Sequence, residues 1–290
     1  MTPTSRHNRK AFLEITNVCN LACAFCPGTR RAPRTMTEDE FRFLAGRLVP
    51  FAEYLYFHLM GEPTAHPLLP QFLAYANGLG FRTMITTNGT LLARRGTELL
   101  MEDSRPYKVS ISLHAFEANP PGLSFEDYLS SCLSFARAAA GCGTIVALRL
   151  WNLDGRASGA LHEKNEQILS VIHAAFPCEW RENRSGYRLC DRVFLEWGDK
   201  FDWPEVNGAV LQDEGFCYAL RDQIGVLSDG TVVPCCLDRE GDMVLGNLFN
   251  STIDEILSSP RAKALYDGFT AHKCTEELCR RCMRAGYYRR

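Results

Sequence analysis

The sequence contains no apolar run close to the roughly 18 residues that a membrane-spanning helix needs. Residues 1–10 are polar and basic, and only Ala11–Leu13 follows before Glu14, so a secretory h-region is missing. Net charge is also nearly absent, because 32 Lys and Arg stand against 34 Asp and Glu, which gives −2. We therefore expect a cytoplasmic protein that neither enters a membrane nor binds nucleic acid by counterion release.

Internal repeats and low-complexity tracts are also lacking. A hydrophobic content of 46% with 23% charged residues excludes a largely disordered chain. Cysteine, in contrast, is abundant, with 13 residues and no export signal to accompany them. A disulfide framework is disfavoured in a reducing compartment, so bound metal or iron–sulfur clusters are the better interpretation. The cysteines are grouped, with three at 19, 23 and 26 and six beyond residue 216.

Short apolar segments alternate with longer amphipathic segments from residue 11 to about residue 197. The predicted strands are Phe12–Ile15, Tyr54–Leu59, Phe81–Thr86, Lys108–Leu113, Thr144–Leu150 and Val193–Trp197. Helix signals lie between them, such as the capping box that begins at Thr37. Alternating strands and helices indicate a parallel sheet, and six strands are too few to close an eight-stranded barrel. We therefore predict an α/β fold, a partial (β/α)6 barrel with its site at the carboxyl ends of the strands.

The pattern changes after residue 197. Residues 200–214 are polar and contain Pro and Gly, which is typical of a connecting loop. Ile224–Leu227 and Thr231–Val233, joined through Asp229-Gly230, predict a β-hairpin, and a short helix is predicted at Ile253–Ser258. The sequence thus divides into a partial barrel, residues 1–200, and a small C-terminal α+β domain, residues 201–290.

Cys19, Cys23 and Cys26 give the spacing C-x3-C-x2-C directly after the first predicted strand. One interpretation is a tetrahedral zinc site, which needs a fourth ligand such as His7 or His58. The other is an iron–sulfur cubane held by three cysteines, which leaves one iron without a protein ligand and able to bind a small molecule.

The segment from Glu14 to Pro27 resembles the signature of the radical S-adenosylmethionine (radical SAM) enzymes. The resemblance implies that the three cysteines bind a 4Fe–4S cluster whose fourth iron is chelated by SAM, and that reductive cleavage of SAM releases a 5′-deoxyadenosyl radical. It also implies that Phe25 lies near the adenine. Gly61-Glu62-Pro63 matches the GEP motif of the family, so Gly61 and Glu62 are expected to hold the SAM ammonium.

Two further segments match the family in the same order along the chain. Residues 86–90 (TTNGT) match its TNG segment, and Ser112 stands where a serine commonly contacts SAM, so the resemblance places Asn88 and Ser112 in the cofactor site. The sequence departs from the family at His114, where many relatives have Asp. Arg149, at the end of the fifth strand, fits either the SAM carboxylate or an ion pair with a barrel glutamate.

A second group of cysteines brackets the C-terminal part of the chain. Its members are Cys217, Cys235, Cys279 and Cys282. Their spacing fits either a zinc site or a fully ligated iron–sulfur cluster. The pattern resembles the twitch domain, a shortened form of the SPASM domain of many radical SAM enzymes. This resemblance implies one auxiliary 4Fe–4S cluster held by these four thiolates, with Cys236 and Cys274 as alternative ligands.

The spacing is most similar to that of the twitch dehydrogenases that oxidise an aminocyclitol alcohol. This implies hydrogen abstraction and a two-electron oxidation of a small molecule, an alcohol on a sugar or cyclitol, with the auxiliary cluster as electron acceptor. Modification of a peptide or protein, and a noncatalytic metal-binding or electron-transfer module, are the alternatives. Oxidation needs a base, for which Asp191, Glu196 and Asp238 are candidates. The expected partners are the substrate and an electron donor of the flavodoxin or ferredoxin type.

Overall fold

The structure is a computed structural model that describes residues 7–118, 122–153, 163–199 and 202–286. Its strands are β1 (Lys10–Leu13), β2 (Tyr54–Tyr56), β3 (Arg82–Thr87), β4 (Lys108–Ser112), β5 (Ile145–Leu153), β6 (Arg181–Asn183), β7 (Gly186–Cys190), β8 (Val193–Asp199), β9 (Gln223–Val226), β10 (Thr231–Val233) and β11 (Gly246–Asn247). Its α-helices are α1 (Glu38–Leu48), α2 (Leu69–Gly78), α3 (Leu92–Arg95), α4 (Phe125–Gly141), α5 (Glu163–Ala175), α6 (Ile253–Leu257), α7 (Pro260–Thr270), α8 (Glu277–Arg280) and α9 (Met283–Gly286).

The partial (β/α)6 barrel is confirmed. Strands β1, β2, β3, β4, β5 and β8 pair in parallel in that order, with helices in the connections. The predicted capping box at Thr37 is present at the start of α1, and at the start of α4 the Ser124 hydroxyl accepts from the amide of Asp127. Each presents an apolar face to the sheet, and the buried Phe41 of α1 stacks on Phe72 of α2 at 4.1 Å between ring centroids.

The C-terminal hairpin belongs to the same sheet as the barrel. The predicted hairpin is confirmed, because β9 and β10 pair antiparallel. In addition, β9 pairs in parallel with β1, from Lys10 with Gln223 to Leu13 with Val226. The first strand of the barrel therefore has β2 on one side and a strand of the C-terminal part on the other. The sheet has eleven strands in the order β11-β10-β9-β1-β2-β3-β4-β5-β8-β7-β6.

A second hairpin, β6–β7, was not predicted. It extends the opposite end of the sheet by antiparallel pairing of β7 with β8. All three residues of β6 are exposed, so this strand has no apolar alternation for a sequence pattern to detect.

The predicted domain boundary between residues 200 and 201 falls outside the described residues. Among the residues that the structure does describe, no helix is both long and apolar enough to span a bilayer.

Candidate active site

The first three cysteines lie in the cysteine loop, residues 17–34, which connects β1 to α1 and contains no helix or strand. A bridge between Thr16 and Thr35 closes its base. The amide of Cys26 donates to the carbonyl of Cys23 at 3.0 Å, and the amide of Leu21 donates to Cys19 Sγ at 3.5 Å. The fold thus holds the three thiols at the carboxyl end of β1, where parallel α/β folds place their sites.

Gly61 and Glu62 lie beside the start of the cysteine loop. Gly61 has φ +77°, and a Cβ at this position would lie 2.3 Å from the carbonyl oxygen of Thr16, so only glycine fits. The amide of Glu62 donates to the carbonyl of Val18 at 2.9 Å. The GEP segment therefore packs backbone to backbone against the residues that precede Cys19.

The Glu62 carboxylate is buried and satisfied within the protein. It accepts from the amide and hydroxyl of Thr64 at 3.0 and 2.6 Å and from the amide of Asn88 at 2.7 Å. Burial raises the pKa of Glu62, while these hydrogen bonds favour its charged form. The Asn88 side chain in turn donates to Asn20 Oδ1 at 2.9 Å and to Cys19 Sγ at 4.0 Å. The fold thus brings Glu62, Asn88 and Cys19 together.

Phe25, Ser112 and Arg149 line a single cavity of about 470 Å³. Ser112 and Arg149 are register partners on β4 and β5. The ring of Phe25 lies 4.9 Å from that of His114, and His114 Nδ1 accepts from the amide of Trp151 at 3.3 Å. Sequence reasoning therefore identified three residues of one cavity wall, and it left open the role of His114, which belongs to the same wall.

The same cavity is lined by cysteines from both groups. They are Cys26, Cys217, Cys235, Cys236, Cys279 and Cys282. All four predicted auxiliary ligands are therefore together, and Cys236 lies with them, whereas Cys274 is buried outside the lining. Within the described residues, no three His, Cys, Asp or Glu side chains are arranged to hold a single metal ion.

The C-terminal thiols have the chemistry of a cluster site. Burial raises the pKa of Cys217 to about 11 and that of Cys236 to about 12. Burial also raises the pKa of Cys235 and Cys279, and the neighbouring thiols raise it further. Buried thiols that repel one another as thiolates are stabilised when cationic iron binds them. A 4Fe–4S cluster takes four thiolates, so this donor set fits one.

Arg149 forms an ion pair with a barrel glutamate, which is one of the two arrangements that the sequence suggested for it. Its Nε donates to Glu196 Oε2 at 2.9 Å, and Lys108 Nζ lies 2.7 Å from Glu196 Oε1. Burial would raise the pKa of Glu196, but Arg149 and Lys108 outweigh it and hold the pKa below its ordinary value. The guanidinium also lies 4.4 Å from the Trp151 ring centroid. Two cations share one carboxylate here, so a positive charge remains at the cavity wall.

The other two base candidates, like Glu196, lie outside the cavity lining. Asp191, whose side chain is 80% exposed, lies in the turn between β7 and β8 and pairs with Arg188 at 2.7 Å. Asp238 is fully buried and accepts from the amides of Asp242 and Met243, each at 2.8 Å, so it fixes a turn. Burial raises the pKa of Asp238, and these two amides lower it. Neither carboxylate is brought together with Glu196.

Sequence reasoning did not place His58 in this cavity. His58 follows β2 and lines the cavity with Phe12 and Tyr56, whose ring centroids lie 5.8 and 6.0 Å from its own. Its Nδ1 is buried and has no hydrogen-bond partner among the described residues. Burial, with the charge of Arg149, lowers the pKa of His58 to about 3. Its position two residues beyond Tyr56, at the carboxyl end of a barrel strand, was the available signal.

Glu14 was also missed. It is fully buried at the end of β1 and accepts both Arg31 guanidinium nitrogens, at 2.8 and 2.7 Å. A charged residue directly after an apolar strand, at the carboxyl end of the sheet, was the signal in the sequence.

The two cysteine groups lie in segments that match two different family models. Residues 13–155 match the Radical SAM superfamily, and residues 217–283 match SPASM, an iron-sulfur cluster-binding domain. The chain is 25% identical to the antilisterial bacteriocin subtilosin biosynthesis protein AlbA of Bacillus subtilis (strain 168), over 93% of this chain and 64% of AlbA. The chain therefore spans less than two thirds of that relative's length.

Solved structures share the fold. BtrN in complex with AdoMet and 2-DOIA superposes with a TM-score of 0.53 at 18% identity, covering 97% of this chain and 94% of BtrN. SuiB of Streptococcus suis bound to precursor peptide SuiA superposes with a TM-score of 0.61 at 14% identity, covering 97% of this chain and 72% of SuiB. The expected SAM and 4Fe–4S cofactors are confirmed by the two family matches. The chain belongs to the radical SAM superfamily and carries a C-terminal SPASM domain that binds an iron–sulfur cluster.

Proposed function

We propose that this enzyme abstracts a hydrogen atom from a C–H bond of a small alcohol, on a sugar or cyclitol, and completes a two-electron oxidation to the carbonyl. One observation carries the proposal, which is that Cys26 and Phe25 of the cysteine loop line the same cavity as the thiols of the C-terminal part. A substrate in this cavity lies between the two cofactor sites. The BtrN structure with AdoMet and 2-DOIA, a chain of similar length and fold, supports this substrate class.

When bound, the cofactors supply a 5′-deoxyadenosyl radical from SAM and a one-electron acceptor at the auxiliary site. Cys19, Cys23 and Cys26 would hold the SAM-binding cluster, and Cys217, Cys235, Cys279 and Cys282 the auxiliary one. The protein surrounds the substrate with apolar and aromatic walls that exclude water, among them Phe12, Tyr56 and Trp151. A one-electron donor of the flavodoxin or ferredoxin type would reduce the first cluster.

We assign the proton acceptor to His58. After hydrogen abstraction the substrate radical still carries its hydroxyl. Loss of that proton and of one further electron, for which the auxiliary cluster would be the acceptor, gives the C=O bond. Within the described residues no carboxylate lines the cavity, and Glu196 lies between two cations. The imidazole of His58 lines the cavity and is neutral, so it has a ring nitrogen that can take this proton. Burial and the charge of Arg149, which lower its pKa to about 3, make it a weak base that passes the proton on rather than retaining it.

Modification of a peptide is the second candidate. AlbA is a subtilosin biosynthesis protein and aligns over 93% of this chain. The fold match to SuiB with a bound precursor peptide is consistent with it. In this case the same cavity would receive one side chain of a longer substrate.

Iron analysis and product analysis of the anaerobically reconstituted enzyme test the proposal. We expect roughly eight irons per chain, for two 4Fe–4S clusters, and substrate-dependent formation of 5′-deoxyadenosine with a panel of cyclitols and sugars. Cys235→Ser should lose about half of the iron and all ketone product but keep SAM cleavage, and Cys142→Ser, a thiol outside the cavity, should behave as the unsubstituted enzyme. If no polyol yields a ketone and a peptide is modified instead, the second candidate function replaces the first.

A further inference from the structure

The second half of the cysteine loop is fastened to the C-terminal part of the chain. This clamp segment, residues 28–34, begins two residues after Cys26. The amide of Arg30 donates to both carboxylate oxygens of Glu240, at 3.1 and 3.2 Å, and the Thr29 hydroxyl donates to Glu240 at 3.3 Å. The Glu240 side chain is only 8% exposed. A mostly buried carboxylate from the SPASM region therefore holds the backbone of the cysteine loop.

Arg31 connects three segments through its guanidinium. It forms a bidentate pair with the buried Glu14, and its Nε donates to the carbonyl of Arg239 at 2.8 Å. Glu14 also accepts from the amides of Met60 and Ser228, each at 3.2 Å. Met60 immediately precedes Gly61 of the GEP segment, so the cysteine loop, the GEP segment and the C-terminal hairpin meet at one carboxylate.

The C-terminal part reaches back in the same way. Arg239, whose side chain is 6% exposed, donates from Nε to the carbonyl of Gly28 at 2.9 Å. At the other end of the clamp segment, Arg34 Nε donates to the carbonyl of Ser228 at 2.9 Å. Arg239 and Glu240 follow the cavity thiols Cys235 and Cys236 by only a few residues. The two cysteine-bearing segments are therefore linked by direct hydrogen bonds, which are partly buried except for the exposed pair between the Arg30 amide and Glu240.

These contacts add order to that supplied by hydrogen bonds within the cysteine loop, such as that from the Asn17 side chain to the carbonyl of Ala32 at 2.9 Å. The loop has no helix or strand, and a flexible loop would lose conformational entropy whenever its thiols gather around a ligand. Charge-assisted hydrogen bonds from buried side chains remove that cost in advance.

We propose that Glu240 is a positioning residue through which the SPASM domain fixes the cysteine loop in the geometry that binds SAM. Arg239, Arg31 and Glu14 act together with it. The proposal rests on the proposed function only in that the loop must hold the SAM-binding cluster. It assigns the SPASM domain a role besides electron transfer. Substitution of Glu240 should therefore weaken SAM binding, although Glu240 does not contact SAM, the substrate or the auxiliary thiols.

Glu240→Gln in the full chain tests this, with Glu276→Gln as the matched control. Glu276 pairs with Arg261 at 2.8 Å within the C-terminal part and does not touch the cysteine loop. In the cofactor-free protein, hydrogen exchange of residues 27–34 should be faster in Glu240→Gln than in the control. In the reconstituted protein, iron content should be unchanged in Glu240→Gln, and SAM should bind about tenfold more weakly, equivalent to about 1.4 kcal/mol. The SAM-induced change in the EPR spectrum of the reduced N-terminal cluster should also be smaller.

Unchanged exchange and unchanged SAM affinity in Glu240→Gln would overturn the proposal. If that variant does not fold, Arg31→Lys replaces it, since Lys keeps the charge but cannot form the two-point pair with Glu14. Its control is Arg42→Lys, in an exposed pair with Glu38. If the unsubstituted enzyme fails to bind SAM, the proposed function fails, and the exchange measurement still decides the clamp.

Discussion

At the scale of single residues, His58 combines features that the sequence could not display. Its spacing after β2 placed it at the correct edge of the sheet, but nothing in the sequence indicated that its Nδ1 would be buried without a partner. The three carboxylates chosen from the sequence were polar residues near the end of the barrel. The fold uses Asp238 to cap amides and Glu196 to neutralise cations, because their partners come from other segments.

His58→Phe separates hydrogen abstraction from proton removal, because it keeps an aromatic ring beside Phe12 and Tyr56 and removes both nitrogens. We expect substrate-dependent 5′-deoxyadenosine to persist while ketone formation falls by about 10²-fold or more, the range typical for loss of a general base. Mass spectrometry of both products, with a substrate deuterated at the reacting carbon, makes the comparison. The variant should fold at least as stably, since a buried unsatisfied nitrogen is removed. His7→Phe, near the amino terminus, is the control, and ketone formation at the unsubstituted rate would refute the assignment of His58.

At the scale of elements, His66 connects two helical segments of the barrel. It lies between the 3-10 helix Pro63–Ala65 and α2, is buried, and lies 2.9 Å from the carbonyl of Met36, which precedes α1. Its Nδ1 accepts from the amide of Leu68 at 3.1 Å. Both ring nitrogens are therefore engaged in the neutral form, with the proton on Nε2. Burial lowers the pKa of His66, and Arg95 lowers it further against the raising effect of the Met36 carbonyl.

Stability should consequently fall in mild acid. When the pKa of a histidine is lower in the folded protein, the unfolded chain binds more protons than the folded chain at pH values below about 6.5, the ordinary pKa of histidine. The contribution of His66 is therefore complete above that pH and decreases as the pH falls towards the folded pKa. Urea unfolding of the cofactor-free chain between pH 7.5 and 5 should show a smaller decrease for His66→Gln than for the unsubstituted chain. An equal decrease in both would contradict this assignment.

Much of the element structure could be predicted because its signals are local. The Thr37 capping box and the Asp229-Gly230 turn depend on neighbours within a few residues, so α1 and the β9–β10 hairpin were predicted correctly. The pairing of β9 with β1 was not predicted, since an apolar period identifies a strand but not its partner. The β6–β7 hairpin was missed because Arg181–Asn183 is polar throughout. At the site, the cysteine groups were found from their spacing, and Gly61, Glu62 and Asn88 came from the resemblance. The clamp through Glu240 joins segments about 210 residues apart, beyond the reach of local patterns.

At the scale of the whole molecule, the SPASM region completes the barrel sheet as well as adding thiols. A chain that ends at residue 199 would expose the edge of β1, which contains the apolar residues Ala11 and Leu13. Unpaired strand edges of this kind promote aggregation. We expect the truncated chain to be largely insoluble or to elute as aggregates in size-exclusion chromatography, while the full-length chain without cofactors remains monodisperse. A monomeric, soluble fragment 1–199 would show that β9 is dispensable for the barrel.

The contact between Ser228 and Glu14 spans 214 residues of sequence. During synthesis, β1 leaves the ribosome early and must wait for about 210 further residues before β9, its second neighbour, is available. Long-range pairing of this kind slows folding. Nascent chains should therefore depend on chaperones that shield a strand edge, and premature termination before residue 223, where β9 begins, should yield a product that is degraded rather than a smaller folded protein.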